Sequence, residues 1–152
     1  MIDSRLAELG ITLPEPAAPV ASYVPAVEAG GFLYISGQIS FVDGTLMTGK
    51  IGDTRTEEDG IAAARSCGLM LIAQMKKALG SLDRVERIVK LGAFIACEPD
   101  YTGQPKIANG ASDLMEAVFG DAGKHARSAV GVPVLPLDAT VEIDAIVKVR
   151  DV

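Results

Sequence analysis

Two stretches in the last third of the chain hold the side chains best suited to chemistry on a small anion. Arg127 stands in the run His125-Ala126-Arg127-Ser128-Ala129-Val130-Gly131-Val132, and Glu142 and Asp144 alternate with apolar residues in Val141-Glu142-Ile143-Asp144-Ala145-Ile146. A guanidinium grips a carboxylate through two parallel hydrogen bonds and stays charged across the physiological range. A carboxylate can take a proton from water or return one to a reacting carbon. Period-2 alternation predicts a strand over 139–149 with Glu142 and Asp144 on one face and Val141, Ile143 and Ala145 on the other. A hairpin through Leu135-Pro136-Leu137-Asp138 would bring an Arg that orients a ligand beside an acid that moves protons. The same residues would serve equally as a cross-strand ion pair or as a solvated face, and spacing does not choose between these readings.

Other chemistries find less support. One His and two Cys, without metal-ligand spacing, argue against a zinc site, so no metal is expected. Cys67 and Cys97 are expected to be buried, reduced thiols. Neither Gly30-Gly31 nor the glycines at 120 and 123 form a phosphate loop, and no cofactor is expected. His125, next to Lys124, could act as an acid or base, but the sequence offers it no evident partner. A net charge of −6, the lack of Trp and an aromatic content of 5% oppose a surface that tracks phosphates and stacks bases, so no nucleic acid partner is expected. No apolar run approaches the roughly 18 residues that span a bilayer. Met1 to Gly10 carries Asp3 and Glu8 and lacks a signal-peptide core. The expectation is a cytoplasmic protein with no membrane partner.

These side chains need a frame. With 152 residues, 49% hydrophobic and 22% charged, the chain has the size and composition of one globular domain. Residues 1–19 read as an N-terminal extension: a short helix over Ser4 to Leu9, capped by Asp3 and stopped by Gly10, then a segment that Pro14, Pro16 and Pro19 keep irregular. Residues 20–152 read as the main domain. Tyr23 to Glu28 and Phe32 to Ser36 are predicted strands around a Gly30-Gly31 turn, and Asp43-Gly44 is a second turn signal. Thr56 opens the clearest helix, with Asp59 placed for a capping box and Gly80 as its stop. Arg65 belongs at the edge of that helix's apolar stripe. A strand over Val85 to Ala96, a helix within Ile107 to Phe119, and strands over Arg127 to Val134 and Ala139 to Val149 complete the order. The fold class is α+β, a mixed sheet with two main helices packed on one face.

The runs from Arg127 to Val132 and from Val141 to Ile146, with the Leu135-Pro136 turn between them, resemble the C-terminal signature of the Rid (YjgF-type) family, also labelled endoribonuclease L-PSP. Tyr34-Ile35-Ser36-Gly37-Gln38-Ile39 is similar to its early strand, and Ser22-Tyr23-Val24-Pro25-Ala26-Val27 to its N-terminal strand. The resemblance covers roughly residues 20–149. It implies a chorismate-mutase-like fold and a homotrimer with a cleft at each subunit interface. It further implies hydrolytic deamination of small carboxylate-bearing imines and enamines, such as 2-aminoacrylate, to 2-keto acids and ammonia. Arg127 would bind the substrate carboxylate, Glu142 would activate water, and Tyr23 and Ser36 would line the pocket. The chain departs from the family pattern at Ala129, where relatives often carry Cys, and in its longer N-terminus. Pro105 to Leu114 resembles a longer branch of the family, in which Asn109 either reaches the pocket or begins the helix. A non-catalytic protein that binds 2-keto acids would use the same residues; the third reading is the ribonuclease or translation-inhibitor role attached to some relatives, over which Arg127, Glu142 and the acidic charge favour the first two.

Overall fold

Thr56 shows how local chemistry sets the first long element. Its hydroxyl accepts from the Asp59 amide at 3.1 Å, and the Asp59 carboxylate accepts from the Thr56 amide at 3.0 Å. This reciprocal cap opens a 23-residue helix, α2 (Glu57–Leu79), which ends at Gly80 with φ +79°. The computed structural model describes residues 1–19 and 21–151. Val20 and Val152, where the sequence analysis begins and ends the main domain, lie outside the described residues.

The first helix, α1 (Ile2–Glu8), has no side-chain cap. The expected Asp3 cap is therefore not formed. Instead the Ile2 amide donates to the Asp83 carboxylate at 3.0 Å, and Lys76 holds Asp3 at 3.1 Å. Leu6 buries itself in the same apolar cluster as the sheet and the main helices.

Five strands form the main sheet: β1 (Ala26–Ala29), β2 (Phe32–Ile39), β5 (Val85–Ala96), β6 (Ala126–Val132) and β7 (Val141–Val149). Their spatial order is β1-β2-β7-β5-β6. A small separate hairpin pairs β3 (Phe41–Val42) with β4 (Thr45–Leu46) across Asp43-Gly44, both at positive φ. Gly30 and Gly31, also at positive φ, make the tight β1–β2 turn. Strand β1 starts at Ala26 rather than Tyr23, just after Pro25, which has no N–H to offer a ladder.

Helix α3 (Gln104–Phe119) begins earlier than expected. Pro105 suits the first turn, where its missing N–H has no intrahelical role. Tyr101 and Lys106 also hold Glu57 at 2.7 and 3.1 Å, which ties the start of α3 to the start of α2. Asn109 therefore lies inside the helix, and the helix-start reading is corrected.

Both main helices cover one face of the sheet, α2 over β2 and β7 and α3 over β5 and β6. Leu33, Leu91, Ile143 and Val147 of the sheet meet Leu71, Met75 and Leu114 of the helices in the core. The helices approach closely at Gly110, where a Cβ would collide with the Ile61 carbonyl. No helix among the described residues is long and apolar enough to cross a membrane.

The sheet order overturns one expectation. β6 and β7 are not a hairpin. β6 pairs in parallel with β5, and β7 pairs antiparallel with β5 on its other side, so β5 lies between them. The reason is the connection: a parallel pair needs a crossover, and α3 supplies it between β5 and β6.

Candidate active site

On β7 the alternation is as the sequence predicts: Val141, Ile143 and Ala145 are buried, while Glu142 and Asp144 are partly exposed on the face away from the helices. The Glu142 carboxylate rests on the backbone of Gly37, where a Cβ would stand 2.5 Å from Oε2. That contact follows from a bulge in β2 between Ile35 and Gln38, where β2 advances three residues against two of β7. A bulge re-aims side chains and twists the strand. A side chain at 37 would displace the carboxylate.

Glu142 lines a cavity of about 530 Å³ together with Tyr23, Pro25, Ile39 and Leu137. Among the described residues no cation or hydrogen-bond donor pairs with it. Burial holds its carboxyl above the ordinary value, and the negative charge of Asp144 adds to the shift. Asp144 is raised as well, chiefly by burial, against the pull of a Gly92 backbone hydrogen bond and of Lys90. A half-buried carboxylate without a counter-ion is poised to accept a proton, which is the property a general base needs.

Ser36 supports this cavity rather than lining it. Its hydroxyl donates to the Val24 carbonyl at 2.9 Å, and its amide donates to the Pro25 carbonyl at 2.9 Å. These bonds hold the Tyr23 segment against β2 and leave the Tyr23 ring half exposed.

Arg127 lies elsewhere. Its register places it level with Leu91 of β5 and, one strand further, with Ala145 of β7. Leu91 and Ala145 face the helices, and so does Arg127. Nη1 donates to Asn109 Oδ1 at 2.8 Å and to Ser112 Oγ at 3.1 Å, and Nη2 donates to the Pro105 carbonyl at 3.3 Å. Strand spacing puts the Arg127 and Glu142 backbones about 10 Å apart across the sheet and about 10 Å along it. Their side chains leave from opposite faces. The structure thus joins Tyr23 with Glu142, and Arg127 with Asn109, but within one chain it does not join Arg127 with Glu142.

His125 does have a partner, contrary to the sequence analysis. Its Nδ1 lies 2.6 Å from the Gly123 carbonyl, which can only accept, so Nδ1 carries the proton. Nε2 lies 2.8 Å from Ser112 Oγ, the same oxygen that Arg127 reaches. Sequence reasoning missed Ser112, although Asn109 and Ser112 are three residues apart on one helix and so share a face. It also missed Gly37, whose close approach depends on a bulge that no local signal marks.

Cys67 and Cys97 are both buried and unbridged, and burial pushes the Cys67 thiol up. Among the described residues, no three His, Cys, Asp or Glu side chains gather as a metal cage would require.

Comparison with known proteins adds to this geometry. A family profile described as "YjgF/chorismate mutase-like, putative endoribonuclease" matches residues 3–147. Over 152 residues the chain is 49% identical to "Protein TCP17" of Trypanosoma cruzi, covering 99% of this chain and 95% of that protein. It is 29% identical over 141 residues to a 2-iminobutanoate/2-iminopropanoate deaminase of Dermatophagoides farinae, covering 92% and 95%. Among solved structures, one titled as a putative endoribonuclease from Shewanella oneidensis superposes with a TM-score of 0.94 at 35% identity, covering 98% of this chain and 99% of that one.

Proposed function

This chain belongs to the YjgF/chorismate mutase-like family, and on that premise we propose that it hydrolyses small carboxylate-bearing imines and enamines to 2-keto acids and ammonia. The observation that carries the proposal is Glu142, a half-buried carboxylate with a raised pKa and, among the described residues, no counter-ion, facing a cavity it shares with Tyr23. The deaminase name of the Dermatophagoides relative supports the same reaction class.

The chemistry asks little of the protein. An enamine acid takes a proton from solvent at carbon and becomes the protonated imine (iminium). Water adds to the imine carbon, giving up one proton to Glu142 as the C–O bond forms. That proton passes from Glu142 to the amine nitrogen, the C–N bond breaks to release ammonia, and the carbinol O–H gives its proton back to the Glu142 carboxylate as the ketone forms. Positioning the water and substrate is enough for much of the acceleration, since such imines already react with water.

Arg127 is the carboxylate clamp in this proposal. Asn109, Ser112 and the Pro105 carbonyl hold one edge of its guanidinium, which limits the rotamer freedom lost on binding. Because Arg127 and Glu142 leave opposite faces of the sheet, one small ligand meets both only where a second copy of the chain brings its Arg127 to this Glu142. A homotrimer with three shared clefts meets that requirement. Val27, Tyr34 and Val130, each 45–49% exposed on the uncovered sheet face, are the apolar surface that such an assembly would bury.

The test is ammonia release from 2-aminoacrylate generated in the assay, with and without the protein. Equal rates would overturn the hydrolase. Retained binding of 2-keto acids in that case would identify a metabolite-binding protein instead.

A further inference from the structure

The cavity that holds Glu142 is larger and more apolar than a three-carbon imine acid requires, and one side of its wall comes from the end of the N-terminal extension and the residues just after it. Ala17, Ala18, Pro19 and Ala21 line it from one side, and Met70 and Leu137 from others. Among the described residues, Glu142 and the Tyr23 phenol are the only titratable groups on its surface.

The wall is held in place. Gln74 lies in the C-terminal half of α2 and is 2% exposed, a position where an amide needs partners. Its Nε2 donates to the Ala17 carbonyl at 2.9 Å and to Gln38 Oε1 at 3.2 Å, and Gln38 Nε2 donates to the Ser36 carbonyl at 2.8 Å. The extension, α2 and the β2 bulge that seats Glu142 thus share one hydrogen-bonded frame. Upstream, the chain is anchored by buried Leu6 and by Arg5 Nε, which donates to the Ala117 carbonyl at 2.9 Å. The apolar side chains at 17–19 therefore stand at a set distance from the carboxylate.

We infer that the extension makes this cleft selective for 2-imino acids with large apolar side chains, branched aliphatic or aromatic, over the small and the polar ones. The inference rests on the imine-hydrolase proposal and specifies its substrate class. The carboxylate and imine of such a substrate lie at the Glu142 end, where charge and water are provided for. Its side chain lies along Ala17 to Pro19 and against Met70, where a charged or amide group would lose hydration without gaining a partner. Each methylene buried there strengthens binding roughly fourfold. A leucine-derived acid, with three more side-chain carbons than the alanine-derived one, gains about 60-fold on that scale.

The experiment uses the full chain and two readouts. Binding of pyruvate, 4-methyl-2-oxopentanoate, phenylpyruvate and 2-oxosuccinamate is measured by calorimetry. Hydrolysis of the imines generated from alanine, leucine, phenylalanine and asparagine by an amino-acid oxidase is followed in parallel. The leucine- and phenylalanine-derived acids are expected to lead both series by tens of fold, with the asparagine-derived acid, close to leucine's in size, left behind. Ala18→Phe fills the cavity from an exposed position of the wall and is expected to collapse the leucine-to-alanine ratio toward one. A flat or reversed series in the wild type, with the alanine-derived members still bound and turned over, overturns the selectivity and leaves the hydrolase standing. A series that favours the large acids but keeps its ratio in Ala18→Phe overturns the role of the extension. Absence of both binding and turnover across the series overturns the two proposals together.

Discussion

Glu142→Gln is the substitution that separates function from folding most sharply in this protein. The carboxylate sits half buried on Gly37, with Asp144 two residues along the same strand face and, among the described residues, no cation paired with Glu142. Two residues along a strand are about 7 Å, so the two charges repel by about 0.6 kcal/mol at the dielectric of water. The folded state holds the Glu142 pKa above its unfolded value, so folding favours the protonated form. That preference is fully expressed below the unfolded pKa and is lost as pH rises through the folded one. At neutral pH the ionised group therefore opposes folding, and Gln, of the same shape, removes the opposition. After discounting for solvent screening at a half-exposed site, a gain of about 0.5 kcal/mol is expected, or 1–2 °C in Tm. The same change removes the proton acceptor, and imine hydrolysis is expected to fall by roughly 100-fold or more while 2-keto acid binding survives. The wild-type rate is expected to decline as acid protonates Glu142, and that limb of the pH profile is expected to vanish in the variant. The two measurements are a thermal melt at pH 7 and a pH–rate profile for both proteins. A variant that loses stability at pH 7, or that keeps wild-type turnover, refutes the assignment of Glu142 as an unpaired base.

Four further outcomes are expected. Arg127→Ala removes a charge-assisted contact worth roughly 1.5–3 kcal/mol, so 2-keto acid affinity measured by calorimetry is expected to fall about 10- to 150-fold. Light scattering at micromolar concentration is expected to return three times the 15.8 kDa subunit mass, and a monomer would remove the shared cleft. Gly110→Ala drives a methyl against the Ile61 carbonyl between α2 and α3, and overpacking of about 1–3 kcal/mol is expected to lower Tm by about 3–10 °C. RNA is expected to stay intact at physiological salt, given the net charge of −6; robust cleavage that disappears in Arg127→Ala would reverse this reading.

Much of the local structure was legible in the sequence because the groups that decide it are neighbours along the chain. The Thr56–Asp59 capping box, the Gly30-Gly31 and Asp43-Gly44 turns, and the Val141–Ile146 alternation each depend on residues within a few positions. Those signals were sufficient for the α+β class and for the face on which Glu142 emerges. They were silent on which strand would lie beside β6, because that choice belongs to α3, whose crossover makes β6 parallel to β5 and inserts β5 before β7. With it went the expected Arg127–Glu142 hairpin. Asn109 read first as a helix start and second as a site residue until Pro105 and the Tyr101–Glu57 contact placed the helix start five residues earlier. The Gln74 clamp on Ala17 spans 57 positions, and Arg127 and Ser112 are separated by 15. Composition, periodicity and turn chemistry act over one or two turns of chain and therefore determined the elements and the residue types available for chemistry. Pairing, sheet face and the close approach of Glu142 to Gly37 arise from packing between distant segments, so only the tertiary structure could decide which of those residues meet.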